Sequence, residues 1–414
     1  MKTHVYKINH ELFSEEDFMK DCPNHEFIQT VLPACQRLIA IGDIHGDLDL
    51  AIKSFKLAKL IDQHYNWIAD PPNTIVVQVG DQIDSCRAIP NVFECHLKPY
   101  SDDRVEDMSV IEFFNAMHEK AARVGGAVYS LLGNHELMNS DGRFDYVSYN
   151  NQHNFYYENN GQVYNGSEGR SAAFRPGGPV AKMLACTRKA VLVVGSTMFV
   201  HAGMLPVLAK RLDYLNLDEK TKLRYLNAIV RKWLLHKLTK NQFIQYIDKN
   251  PEIYTNILND RKTFVNDPDL SPFWTRIYGK IPENAKLDSK DCDMYVKEAI
   301  EIYKVGQLIV GHTPQLFANA DGINGTCYAA NGKNKLFRVD GGFAKAFRVL
   351  NNHDMVQVLE IINDSDFNIL TDKSDATRHD LTPISNLSEK SRERVASIYS
   401  EDRYRKSKST NRKK

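Results

Sequence analysis

A layered α/β fold is predicted for this 414-residue chain by three observations. Short apolar runs alternate with amphipathic segments, each run stops at a glycine, and each glycine opens a loop carrying carboxylate, imidazole or amide groups. The runs are Leu38-Ile39-Ala40-Ile41 before Gly42-Asp43-Ile44-His45-Gly46, Ile75-Val76-Val77-Gln78-Val79 before Gly80-Asp81-Gln82-Ile83-Asp84, and Ala127-Val128-Tyr129-Ser130-Leu131-Leu132 before Gly133-Asn134-His135-Glu136. Runs of this kind read as buried strands. In an open α/β sheet, ligands gather at the carboxyl ends of the strands. Oxygen and nitrogen donors thus arrive together at one sheet edge, which points to metal-dependent chemistry.

Taken in order, residues 1–36 read as a polar N-terminal extension, and 37–371 as the catalytic domain. After the first loop, Leu48, Ala51, Ile52 and Phe55 recur at helical spacing, and Asp47 stands where a helix cap belongs. A second amphipathic helix carries Val110, Phe114, Met117 and Ala121 on one face. Residues 139–189 form an insertion whose Asn/Tyr/Gly-rich part, from Asn139 to about Arg175, lacks any apolar period and reads as long loops over the active edge. Ala190–Val194, Gly195-Ser196 and Met198–Val200 read as a hairpin. A helical insertion spans 204–270, its pattern running from about Leu212 to Asn259 with Trp233, Leu234, Leu235 and Phe243 among its apolar positions. Gln307–Val310 and Leu336–Val339 restore the strands, and a further strand pair is expected at Ala346–Leu350 and Met355–Ile362. Residues 372–414 form a polar tail with Arg403, Arg405, Lys406, Lys408, Arg412, Lys413 and Lys414 near its end. A tail of this kind is expected to be unstructured and suits an anionic partner, either nucleic acid or an anionic membrane.

Bulk properties exclude several classes. With 43% hydrophobic and 25% charged residues the composition is that of a globular protein, and a net charge of +1 argues against a chain-wide nucleic-acid footprint. No apolar run approaches the roughly 20 residues needed to span a bilayer. The N-terminus lacks the apolar segment of a secretory signal. Seven scattered cysteines without a Cys-x-x-Cys pair are expected to be free thiols in a reducing, cytoplasmic setting, with the nucleus open to a chain bearing such a tail.

Two later strand ends add metal-competent residues, His201 after Met198-Phe199-Val200 and His312 after Leu308-Ile309-Val310-Gly311. Five such blocks in one chain, in this order, resemble the calcineurin-like metallophosphoesterases, and within them the phosphoprotein phosphatases. Gln82, Met138-Asn139, Ser271-Pro272-Phe273-Trp274-Thr275-Arg276, Gly311-His312-Thr313-Pro314-Gln315 and Asp340-Gly341-Gly342 resemble the bacterial-type, Shewanella-like subgroup. The resemblance implies a four-layer αββα β-sandwich core flanked by helices and a site for two divalent ions. Asp43 and His45 would bind the first, Asp81 would bridge both, and Asn134, His201 and His312 would supply the rest. The donor mixture suits manganese, iron or zinc better than calcium, with manganese the natural choice in vitro.

Two ions roughly 3.5–4 Å apart hold a bridging hydroxide and the oxygens of a phosphoryl group. The resemblance implies His135 as proton donor to the leaving group, paired with Asp84, and Arg276 as a phosphate contact. The chain departs from the family at one point. An Arg-Gly should follow Asp84, where this sequence has Ser85-Cys86-Arg87, so Arg87 reaches a phosphate only if the loop is rebuilt. Cys86 is expected to be a partly buried, inert thiol. The resulting expectation is a phosphomonoesterase acting on phosphoserine, phosphothreonine or phosphotyrosine in proteins. One rival keeps the machinery for a small phosphate ester or dinucleoside polyphosphate. The other is a pseudophosphatase, favoured by Ser85 and opposed by the intact ligand set.

Overall fold

The computed structural model describes residues 14–89, 93–239, 271–319, 322–347 and 355–373. Helix α1 (Glu15–Asp21) is capped by Ser14, whose hydroxyl accepts the Asp17 N–H, and strand β1 (Val31–Leu32) follows. Strand β2 (Arg37–Ile41) leads into α2 (Leu48–Leu57), where Asp47 caps the helix as predicted by accepting the Leu50 N–H at 3.0 Å. Next come β3 (Ile75–Gln78), α3 (Asp107–Ala122) and β4 (Ala127–Leu131); Val110, Phe114, Met117 and Ala121 are buried along α3.

The segment read as long loops is instead structured. Entered from α4 (Asn134–Ser140), it holds α5 (Tyr149–His153), the hairpin β5 (Tyr156–Asn159) with β6 (Gln162–Asn165), and α6 (Gly166–Phe174); α7 (Pro179–Thr187) follows it. These elements are too short to show an apolar period, and polar contacts fix several of them. Ser148, for example, caps α5 through the Asn151 N–H. The hairpin of β8 (Val191–Val194) and β9 (Thr197–Val200) forms as predicted, preceded by β7 (Arg188–Lys189). Helices α8 (Pro206–Arg211) and α9 (Glu219–Leu234) follow. The rest of the predicted helical stretch, including Phe243 and Asn259, lies outside the described residues, as does the basic tail.

The chain continues with α10 (Ile277–Lys280), α11 (Glu298–Tyr303), β10 (Gln307–Val310), β11 (Asn324–Thr326), β12 (Leu336–Arg338), β13 (Met355–Ile362) and β14 (Asp366–Lys373). The strand expected from Ala346 is not formed in its described part: Lys345–Phe347 make one turn of 3-10 helix that buries Ala346 and Phe347. Strand β13 pairs with β14 and β2 instead.

Two six-stranded sheets result, in the orders β1-β8-β9-β10-β12-β11 and β14-β13-β2-β3-β4-β7. Because side chains alternate across a strand, each strand serves two layers. Leu38 and Ala40 of β2 pack with Val77, Leu192, Phe199, Ile309 and Phe337 between the sheets. Their neighbours Ile39 and Ile41 point outward onto Phe55, Val110 and Phe114. The outer face of the other sheet, through Val191, Met198, Val200 and Leu308, packs on Leu184, Leu226 and Ile229 of the helices. This is the four-layer arrangement of two sheets between helices. Parallel pairing of β2, β3 and β4, and of β9 with β10, brings their carboxyl ends to one edge.

The cysteine expectation is overturned. Cys22–Cys186, Cys86–Cys95 and Cys292–Cys327 are joined as disulfides, with Cα separations of 5.6, 5.5 and 5.5 Å, and Cys35 is free. The partners of two pairs stand 164 and 35 residues apart, so only the folded chain brings them within bridging distance. The argument from thiols to a reducing compartment therefore falls. No helix among the described residues is long and apolar enough to cross a membrane.

Candidate metal centre

Three of the five strand ends, those of β2, β3 and β10, deliver side chains through a sharply bent backbone. His45, Asp81, Asp84 and His312 have φ of 48°, 52°, 74° and 66°, the left-handed region that non-glycine residues rarely adopt. Such strain persists where surrounding contacts over-determine it. Glu136 is one source of those contacts. Its buried carboxylate accepts the N–H groups of Gly133, Asp81 and Gln82 at 2.6, 3.1 and 2.8 Å, tying the second loop to the third. Gly80 and Gly133 are required by the same closeness, since a Cβ on Gly133 would fall 2.4 Å from the Asp81 nitrogen.

Two buried triads share Asp81. One comprises His45, Asp81 and His135 and the other Asp81, His201 and His312, with ligand atoms all within 4.8 Å in each. Asp81 Oδ2 lies 3.3 Å from His201 Nε2, 3.7 Å from His135 Nε2 and 3.9 Å from His45 Nε2. Its other oxygen accepts the His135 N–H. Asn134 Oδ1 stands 3.0 Å from His201 Nε2, and Asp43 Oδ2 is 3.9 Å from His45 Nε2. All six residues singled out as metal ligands are therefore gathered at one point. The imidazoles are oriented from behind: His201 Nδ1 is 2.8 Å from the Val79 carbonyl, and His312 Nε2 is 3.1 Å from that of Trp274. Each contact leaves the second ring nitrogen to face the centre.

The residues present fit divalent ions. Asp43 Oδ1 and Asp340 Oδ2 are buried without a hydrogen-bond partner. Burial, with the charges of Asp340 and Asp81 adding to it, raises the Asp43 carboxyl well above its ordinary range. Asp340 is pushed up to about 6, chiefly by burial. Buried carboxylates this close repel one another, and a cation relieves both the repulsion and the missing contacts. His45 and His312 are held well below the ordinary imidazole range by burial, and next by Arg87 and Arg276 respectively. Neutral imidazole is the ligating form. At Asp81 burial opposes ionisation, but His201 and His135 outweigh it and keep the carboxyl low.

His135 of the first triad also faces Asp84: its Nδ1 and Asp84 Oδ2 are 2.8 Å apart, so the two residues expected to pair are in contact. The loop that departs from the family pattern is indeed rebuilt. Cys86, expected as a thiol, is bonded to Cys95, and Arg87 turns inward until its Nη2 lies 2.9 Å from both ring nitrogens of His45. Tyr146 and Phe347 flank its guanidinium. Arg276, half-buried, donates to the His312 carbonyl at 2.9 Å.

Several site residues escaped the sequence reading. Arg143 stacks over Trp274, 5.5 Å from the ring centre, and Tyr146 lies against His135. Asp340, part of the Asp340-Gly341-Gly342 match, has no role assigned by the sequence pattern. Asn139, Asp107 and Arg170 surround Asp84 from behind. Arg170 comes from a helix within the stretch read as loops, and no local signal marks it.

Three comparisons bear on this geometry. The family model of the calcineurin-like phosphoesterases matches residues 36–316. An uncharacterized protein of Acanthamoeba polyphaga mimivirus is 55% identical over 262 residues, 63% of this chain and 98% of that protein. Shewanella-like protein phosphatase 2 of Arabidopsis thaliana is 28% identical over 380 residues, 84% of this chain and 80% of that protein. Among solved structures, a cold-active protein tyrosine phosphatase aligns with a TM-score of 0.53 at 17% identity, over 83% of this chain and 81% of that one. That last likeness is one of fold.

Proposed function

The chain belongs to the calcineurin-like phosphoesterase family, and on that premise we propose that it hydrolyses phosphate monoesters, with phosphorylated serine, threonine or tyrosine in proteins as its substrates. The observation that carries the reading is the pair of buried triads sharing Asp81, with Asp84 2.8 Å from His135 of the first. Asp43, His45, Asp81, Asn134, His201 and His312 would hold two divalent ions. When bound, the ions supply Lewis-acid charge to the phosphoryl oxygens and activate a water.

The chain's own residues do the rest. With Nδ1 engaged by Asp84, the Nε2 of His135 faces the site and is the atom that delivers a proton. As the new P–O bond from water forms and the bond to the leaving oxygen breaks, that proton passes to the leaving oxygen. Arg276, Arg143 and Arg87 offer charge-assisted hydrogen bonds to the non-reacting phosphate oxygens. Names of relatives support the protein substrate: two are Shewanella-like protein phosphatases.

Manganese-loaded protein should hydrolyse an aryl phosphate, a chelator should stop it, and His135→Asn should lose about 10²–10⁴ of the rate. Absence of metal-dependent turnover above the variant's background would refute the enzyme reading. Phosphoserine and phosphotyrosine peptides assayed against a dinucleoside tetraphosphate would decide the substrate class.

A further inference from the structure

Asp84 is held from behind by a buried network that the metal centre does not use. Its Oδ2 faces His135 Nδ1, and its Oδ1 accepts from Asn139 Nδ2 at 2.9 Å and from Arg170 Nη2 at 3.3 Å. The same Nη2 donates to Asp107 Oδ2 at 2.7 Å, while Asp107 Oδ1 accepts the Asp84 N–H at 3.1 Å. Arg170 Nε holds Asn139 Oδ1 at 3.0 Å, and its Nη1 donates to the Asn151 carbonyl at 3.1 Å. Asn139 also donates to the His135 carbonyl at 3.0 Å, so the amide touches both members of the dyad. The guanidinium is wholly buried, between the rings of Phe155 and Phe174.

We infer that Arg170 is a positioning residue for proton donation: through Asn139 and Asp107 it fixes the rotamer of Asp84 and so the direction in which His135 presents its proton. The inference rests on the phosphatase reading above. Three facts point the same way. Asp84 has φ of 74°, a strained backbone that needs external support. Asp84 and Asp107 are two buried carboxylates sharing one guanidinium, so neither has a free choice of rotamer. A planar fork with donors on three nitrogens fixes angles as well as charge, which an ammonium cannot do. Arg170 also sits on the helix that follows the hairpin β5–β6, so the insertion has a task at the reaction centre without touching substrate.

The test is a split by leaving group. A dinitrophenolate departs without a proton, whereas a serine-like alkoxide needs one. The ratio of kcat/KM for an alkyl phosphate to that for 2,4-dinitrophenyl phosphate therefore reports proton donation, and it is independent of how much of a preparation is folded. His135→Asn should lower that ratio by about 10²-fold or more. Arg170→Gln should lower it by roughly tenfold or more, with the loss in kcat and little change in KM, and Arg170→Lys should recover part of it. If Arg170→Gln yields no folded protein, Arg170→Lys and Asn139→Ala carry the same reading. Equal losses on both substrates in these variants, with the His135→Asn split intact, would overturn the inference and leave the phosphatase reading standing. A His135→Asn variant with no split would instead remove the dyad on which the inference rests.

Discussion

Two buried charge clusters meet at His135, and they differ in completeness. At the sheet edge, Asp43, Asp81 and Asp340 crowd together with histidines, and Asp43 Oδ1 and Asp340 Oδ2 find no partner. Behind His135, Asp84, Asp107, Asn139 and Arg170 meet one another at 2.7–3.3 Å, and every nitrogen of the guanidinium has an acceptor. The first cluster is finished by something bound to it; the second is finished by the chain itself. A protein tolerates a frustrated cluster where a ligand resolves it, and holds that cluster in place with one that is already resolved.

Substitution should expose the contrast most sharply at the residue that both triads share. Asp81→Asn removes the central acceptor of both, so bound manganese should fall towards zero by elemental analysis. Activity should fall with it by about 10³-fold or more, because the lost Lewis-acid charge is worth several kcal/mol. Retention of two ions and near-normal turnover would contradict the shared-ligand assignment. In the rear cluster the damage should fall on stability. Asp107→Asn breaks a fully buried pair and leaves Arg170 partly unpaired, which typically costs about 3–5 kcal/mol. Denaturant unfolding of the chelated protein would measure it. A loss below about 1 kcal/mol would show that the cluster is not the self-complete support described here.

The two clusters also differ in how far the sequence discloses them. The six candidate metal ligands sit one to four residues after a strand, and all but His201 adjoin a glycine, so local pattern and fold class together locate them. The same holds for His135 and Asp84, which stand in the loops after β4 and β3. The supporting cluster has no such grammar. Arg170 reaches Asp107 across 63 residues and Asp84 across 86, from a helix of nine residues whose surroundings carry no apolar period. The disulfides were illegible for the same reason, since the sequence holds spacing but not proximity. Arg87 is an intermediate case: the missing Arg-Gly was visible, but the inward turn depends on Cys95, Tyr146 and Phe347. The strand expected at Ala346 failed because two apolar residues in a 3-10 turn bury as well as two in a strand.

The smallest effect carries the opposite sign to that of Asp107→Asn. The Asp340 carboxyl, ordinarily at 3.8, is pushed up to about 6 by burial, with the Asp81 charge adding to it and the Gly342 N–H opposing. Below pH 4 the group is protonated in both folded and unfolded chains and adds nothing. Between about pH 4 and pH 6 the unfolded chain releases the proton while the folded chain keeps it, so folding loses stability as pH rises. Asp340→Asn has no proton to release. In chelator its stability advantage over the native protein should therefore grow through that window and level off above it, at on the order of 2–3 kcal/mol. Excess manganese should shrink the advantage, because a bound cation relieves the same repulsion that the substitution removes. An advantage that is flat with pH, or unchanged by manganese, would mean that Asp340 does not belong to the unfinished cluster and that its unpartnered oxygen is a local accident of packing.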